Sequence, residues 1–202
     1  MLLQYGGVTV MFPIALLIAG WLWQAHARTA CRQWLLTVVG CYVLVGFSKV
    51  LFKGWGIGLP GLGIAVLSGH AMNVTLMVPV FASLLVRQWV PGLRWPAAAL
   101  GIAFGWWFSV TLVAHRLHPL PEAVAGAVIG SAAALGFLWL LERATLRAVS
   151  PASLALGVVL LGLAASAPKV TAERMLDRFA TSLSGAAVPF THEDLHARRS
   201  AL

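Results

Sequence analysis

Charge is scarce in this chain, and negative charge scarcest: six Asp and Glu stand against fourteen Lys and Arg in 202 residues. No acidic cluster is available to hold a divalent cation, so no metal and no other cofactor is expected. Charged residues make up 10% of the chain and hydrophobic ones 60%, with a mean hydropathy of +0.88. A soluble domain of this length cannot hide so much apolar surface from water, which leaves an integral membrane protein. Cysteine is nearly absent. Cys31 and Cys41 share one apolar stretch and its entry, which excludes a disulfide framework or a cysteine metal site. No basic run precedes the first apolar segment, so a cleavable signal peptide is not expected. The net charge of +8 comes from Lys and Arg scattered at segment ends. That placement suits headgroup anchoring and argues against a nucleic-acid partner.

What the chain has in plenty is apolar runs. Six can be drawn, at Val8–Ala25, Trp34–Phe52, Ala71–Val86, Pro96–Ala114, Ala123–Leu141 and Ala152–Ala167. Each approaches the ~20 residues that cross ~30 Å of hydrocarbon, the third and sixth falling short. Their apolar character is continuous rather than alternating, which predicts helices and not barrel strands. The expected fold is all-α: a membrane bundle of about six transmembrane helices over residues 1–167, followed by a polar or amphipathic tail over 168–202. Gly and Ala enrich the last three segments and allow close helix packing. Trp21, Trp23, Trp34, Trp89 and Trp95 lie near segment ends, as interfacial anchors do.

Arg28, Arg32, Arg87, Arg94, Arg143 and Arg147 follow segments one, three and five, which assigns those turns to the cytoplasm. The turns after segments two and four then face outward, and they hold Lys49, Lys53, Ser68, His70, Arg116 and His118. The tail's own Lys and Arg lean it toward the cytoplasmic side. Within it, Val170, Met175, Leu176, Phe179 and Leu183 form one face of a candidate interfacial helix.

The chemistry collects on the outward turns. Gly54-Trp-Gly-Ile-Gly-Leu-Pro-Gly-Leu-Gly63 cannot form a stable helix. Ser68-Gly69-His70 then opens the third segment, where free backbone N–H groups favour an anion and Ser68 adds a hydroxyl. Ser68 equally suits a plain helix cap. His118 and Glu122 share a helix face at four residues' spacing, so the carboxylate can fix the imidazole tautomer. His115 reads as a headgroup contact.

Lys49, Ser68-Gly69-His70 and His118-x-x-x-Glu122, followed by Val124-Ala125-Gly126, resemble the type 2 phosphatidic acid phosphatase family of membrane lipid phosphatases. That family carries Lys-x6-Arg-Pro, Pro-Ser-Gly-His and Ser-Arg-x5-His-x3-Asp. The resemblance implies a phosphohydrolase in the bacterial inner membrane, its site facing the exterior, acting on a phosphorylated membrane lipid. His118 would be the nucleophile, Glu122 its orienting acid, and His70 the acid and base at the leaving group. Lys49, Ser68 and Gly69 would hold phosphoryl oxygens. Gly56-Ile57 and Thr111-Leu112 stand where the family has its arginines, so Lys53 and Arg116 are the candidate replacements. Two alternatives stay open: a phosphotransferase passing phosphate between lipids, and a catalytically silent binder of anionic lipid.

Overall fold

Seven helices account for most of the structure, a computed structural model that describes residues 5–114, 116–166 and 173–194. They are α1 (Val8–Gln24), α2 (Arg28–Trp55), α3 (Gly69–Arg87), α4 (Arg94–Phe108), α5 (Leu120–Leu141), α6 (Pro151–Ser166) and α7 (Glu173–Ser184). No strand occurs among the described residues. Four helical stretches are long and apolar enough to cross a membrane: Arg28–Trp55, Gly69–Arg87, Pro91–Val113 and Leu120–Leu141. Helices α1 and α6 are apolar but shorter, at 17 and 16 residues. The second segment runs well beyond its apolar run. Arg28, Thr29, Arg32 and Gln33 prolong the helix without adding hydropathy, giving 28 residues, or ~42 Å. Large apolar side chains such as Leu36, Val43, Phe47, Leu100 and Trp139 point outward, the expected pattern for a protein solvated by lipid.

Helix α3 forms the centre, with 61% of its apolar window buried against 28–39% for the other three spans. Glycines let its neighbours approach. A Cβ on Gly101 or Gly105 of α4 would stand 2.6 Å from the Pro79 Cα and 2.8 Å from the Thr75 Cγ2. On α5, a Cβ on Gly126 would meet the Ser68 carbonyl oxygen at 2.3 Å, and one on Gly130 the Thr75 hydroxyl at 2.2 Å. Both helices therefore present a Gly-x-x-x-Gly seam to α3, where backbones meet at a distance no side chain permits. Around this seam Trp34 donates its indole N–H to the Ala15 carbonyl at 2.8 Å and packs on Phe137.

The bundle has two chemically distinct ends. At one, Glu142 receives Arg94 in a two-pronged pair at 2.8 and 2.9 Å and Arg87 at 3.4 Å. Arg94, with help from Arg87, holds the Glu142 carboxyl below its usual range despite burial. Here too the Arg147 amide meets the Ala25 carbonyl, so the three arginine-rich turns converge. At the other end lie the glycine loop, the turn before α5 and the tail helix. Charge counting alone leads the tail to the arginine end; the structure places α7 at the opposite one. The acidic residues that such counting ignores decide the matter, because Glu173 and Asp177 pair with Lys49 and Lys53.

Candidate functional site

The site is built around Glu122, which is wholly buried in the first turn of α5. Pro119 caps that helix and Pro121 sits in its opening turn, where a missing N–H costs no intrahelical bond. A carboxylate without water needs donors, and Glu122 has them. Its Oε1 accepts from the Ala65 and Val66 amides at 3.0 and 3.2 Å and from His192 Nε2 at 2.8 Å. Its Oε2 accepts from His118 Nδ1 at 2.8 Å. With Nδ1 donating, His118 keeps its lone pair on Nε2. The glycine loop reaches Glu122 because Leu59 and Ile64 close it with paired backbone bonds at 2.7 and 3.2 Å.

His118 arrives by a break in the preceding helix. After Phe108 the backbone widens into a π turn over Ser109–Val113 and leaves the helix at Ala114, whose ψ is 140°. Ser109 and Thr111 bond back to the Gly105 and Trp107 carbonyls, competing with the helix's own amides. Wide turns of this kind recur at functional sites. The Val113 carbonyl then collects the Leu117 amide at 3.0 Å and the His118 amide at 3.4 Å.

His70 and His118 line one cavity of about 470 Å³, together with Lys49, Lys53, Phe52, Glu173, Asp177 and His192. The His70 ring packs beside Gly6, where an added Cβ would sit 3.3 Å from its Cδ2. Lys49 and Lys53 lie one turn apart on α2 and point the same way. Lys49 pairs with Glu173; Lys53 pairs with Asp177 and, at 2.8 Å, with Glu173. Burial opposes ionisation of Glu173, but the two lysines outweigh it and hold its pKa down at about 2.

No family model matches the chain, and no solved structure matches it. Over 201 residues it is 29% identical to a Klebsiella pneumoniae protein named "Uncharacterized 22.5 kDa protein in cps region", an overlap of 95% of this chain and 94% of that one.

Of the residues singled out from the sequence, Lys49, Lys53, His70 and His118 share the cavity, with Glu122 directly behind His118. Ser68, Gly69 and Arg116 are not among the residues that line it. The Ser68 hydroxyl serves as the α3 cap, accepting from the Ala71 amide at 3.4 Å, and Gly69 faces Val45. Arg116 is exposed in the turn before α5. His115 and Val170 lie outside the described residues.

Sequence reasoning missed the tail's share of the site. Glu173, Asp177 and His192 reach it across 124, 124 and 70 residues of chain. One signal was present: Glu173 and Asp177 have the same four-residue spacing as Lys49 and Lys53, in a chain with only six acidic residues. Along α7, Met175, Phe179 and Leu183 point outward while Ala180 is buried, as expected for an interfacial helix. Leu176 sits between the two faces, half-buried.

Proposed function

We propose that this protein is a membrane lipid phosphatase that cleaves a lipid phosphate or diphosphate monoester through a phosphohistidine. The observation that carries this reading is the His118–Glu122 pair at 2.8 Å, set in the wall of a cavity that also holds His70, Lys49 and Lys53. His118 Nε2 attacks phosphorus, forming a P–N bond as the bond to the leaving oxygen breaks. Glu122 keeps the proton on Nδ1 and stabilises the positive imidazole. His70 gives a proton to the leaving oxygen, then takes one from the water that splits the P–N bond and releases phosphate. Lys49 and Lys53 bind the phosphoryl oxygens as negative charge builds. In this reading Lys53 replaces a family arginine and Arg116 does not.

The same proposal counts α1 and α6 as spans, giving a six-helix bundle like that of type 2 phosphatidic acid phosphatases. The arginine end lies in the cytoplasm of a bacterial-type inner membrane and the cavity opens outward. Purified protein should release inorganic phosphate from phosphatidic acid or an isoprenyl diphosphate without added metal. With labelled substrate, an alkaline or detergent quench should trap phosphate on the protein in a base-stable bond that acid then releases. Full turnover by His118→Ala would overturn the mechanism. One observation favours a silent lipid-binding role instead: no arginine lines the cavity among the described residues. That reading predicts orthovanadate binding without turnover.

A further inference from the structure

We propose that α7 is a built-in lid whose acidic stripe occupies the place of the substrate's phosphoryl group, so that the site works only after α7 has moved aside. This rests on the phosphatase reading above and adds a form of regulation to it. The Glu173 carboxylate bridges Lys49 and Lys53, with Asp177 on Lys53 as well. A carboxylate and a phosphoryl group present the same face to an ammonium ion, a pair of negative oxygens that accept hydrogen bonds. While docked, the two carboxylates neutralise both lysines and repel a phosphoryl dianion from them, although each ammonium has three N–H donors.

The rest of α7 suits a part that moves. Its polar side faces the protein and its apolar side faces away, the reverse of a core helix: Met175, Phe179 and Leu183 are 74, 57 and 55% exposed. Such a stripe belongs at the headgroup boundary. It keeps α7 in the plane of the membrane whether or not the lysines hold it. Its seat is tight but narrow, with Ala180 wholly buried and its carbonyl oxygen 3.2 Å from where a Cβ on Gly54 would be. Beyond α7 the chain runs along the cavity, where Pro189 to His192 form part of its lining. The Phe190 amide bonds to the Lys53 carbonyl at 2.9 Å, and His192 reaches Glu122. The carboxylate side of each pair is open to solvent, with Glu173 45% and Asp177 34% exposed, so a phosphate carrying twice the charge can exchange with it.

Full-length protein in phosphatidylcholine nanodiscs, with orthovanadate as probe, provides the test. Vanadate should speed amide hydrogen exchange across residues 173–184. Glu173→Gln/Asp177→Asn should exchange at that faster rate without vanadate and bind vanadate about tenfold more tightly. A second variant guards against misfolding. In Gly54→Cys/Ser184→Cys the two Cβ atoms would lie about 3.3 Å apart, close enough to cross-link with slight adjustment. Oxidation should abolish vanadate binding and reduction of the same sample should restore it. Unchanged exchange and affinity in the acidic double variant, or equal binding by the oxidised and reduced cysteine variant, would sink the lid. Both effects appearing in protein that never turns over substrate would keep the lid and remove the phosphatase.

Discussion

Glu122 holds two imidazoles and two backbone amides on one buried carboxylate, so removing its charge and removing its oxygens should have different consequences. Glu122→Gln keeps an oxygen for the Ala65 and Val66 amides but loses the charge that sets the His118 tautomer. The fold should survive, with turnover falling by roughly 10²–10⁴-fold. Glu122→Ala leaves buried donors without a partner, at about 1–3 kcal/mol each. Its melting temperature in detergent should fall as well as its activity. A Glu122→Gln variant with full phosphate release would show that His118 needs no orienting charge.

Glu173 supplies a pH signature. Its carboxyl is depressed from an ordinary 4.5 to about 2, so its contribution to the docked tail is complete above pH 4.5 and lost as pH falls through about 2. The groups around it are Lys49, Lys53, His70, His118, Asp177 and His192. Positive charge on any of these neighbours only attracts the Glu173 carboxylate more, so the tail should hold until Glu173 itself protonates. A spin label on Ser182→Cys should gain mobility within that window and not near pH 6. Release near pH 6 would mean that the histidine contacts, not the lysine pairs, hold α7.

At the level of elements, the glycine seams against α3 are the parts least tolerant of change. Gly130→Val places carbon where the Met72 carbonyl and the Thr75 hydroxyl already lie, at 2.4 and 2.2 Å. Overpacking of this kind costs about 1–3 kcal/mol or more. Gly136→Ala, on the same helix with nothing within 4 Å, should leave the melting temperature unchanged or slightly raised. Gly126 faces the Ser68 carbonyl, one residue from the start of α3. Enlarging it should push His70 away from the His118 pair and lower activity more than stability. Equal melting temperatures for Gly130→Val and Gly136→Ala would refute the seam.

The helices were legible in the sequence because a continuous apolar run marks an apolar helix, though only four of the described stretches are long and apolar enough to cross a membrane. The polar first turns of α2 escaped because hydropathy does not register Arg28 to Gln33, which continue the helix without apolar character. The His118–Glu122 contact could be read because only four residues separate the two, although His118 stands ahead of the Pro119 cap and does not share a face of α5 with Glu122. The fate of Arg116 could not, since it depends on where the backbone turns out of the π turn at Ala114. Ser68 illustrates a further limit. Its hydroxyl could cap the helix or face the cavity, and only the packing of α5 on the loop decides between them.

For the molecule as a whole, the separation of charge between the two ends carries an orientation that labelling can check. Leu59→Cys, exposed in the glycine loop, should react with a membrane-impermeant maleimide added to intact spheroplasts. Ala148→Cys, exposed at the arginine end, should react only after permeabilisation. The buried Cys31 and Cys41 should stay unlabelled. The reverse pattern would place the cavity in the cytoplasm and remove every substrate confined to the outer leaflet.

The meeting of distant segments at Glu122 also has a consequence in time. His192 leaves the ribosome seventy residues after the carboxylate it joins. At roughly 5–20 residues per second, that is a delay of several seconds. Lys49 and Lys53 wait longer still, 124 residues each, for Glu173 and Asp177, and until then stand without their acidic partners. If the cavity takes a phosphorylated lipid as proposed, arrest of synthesis ahead of Glu173 should leave a chain that holds phospholipid the finished one has given up.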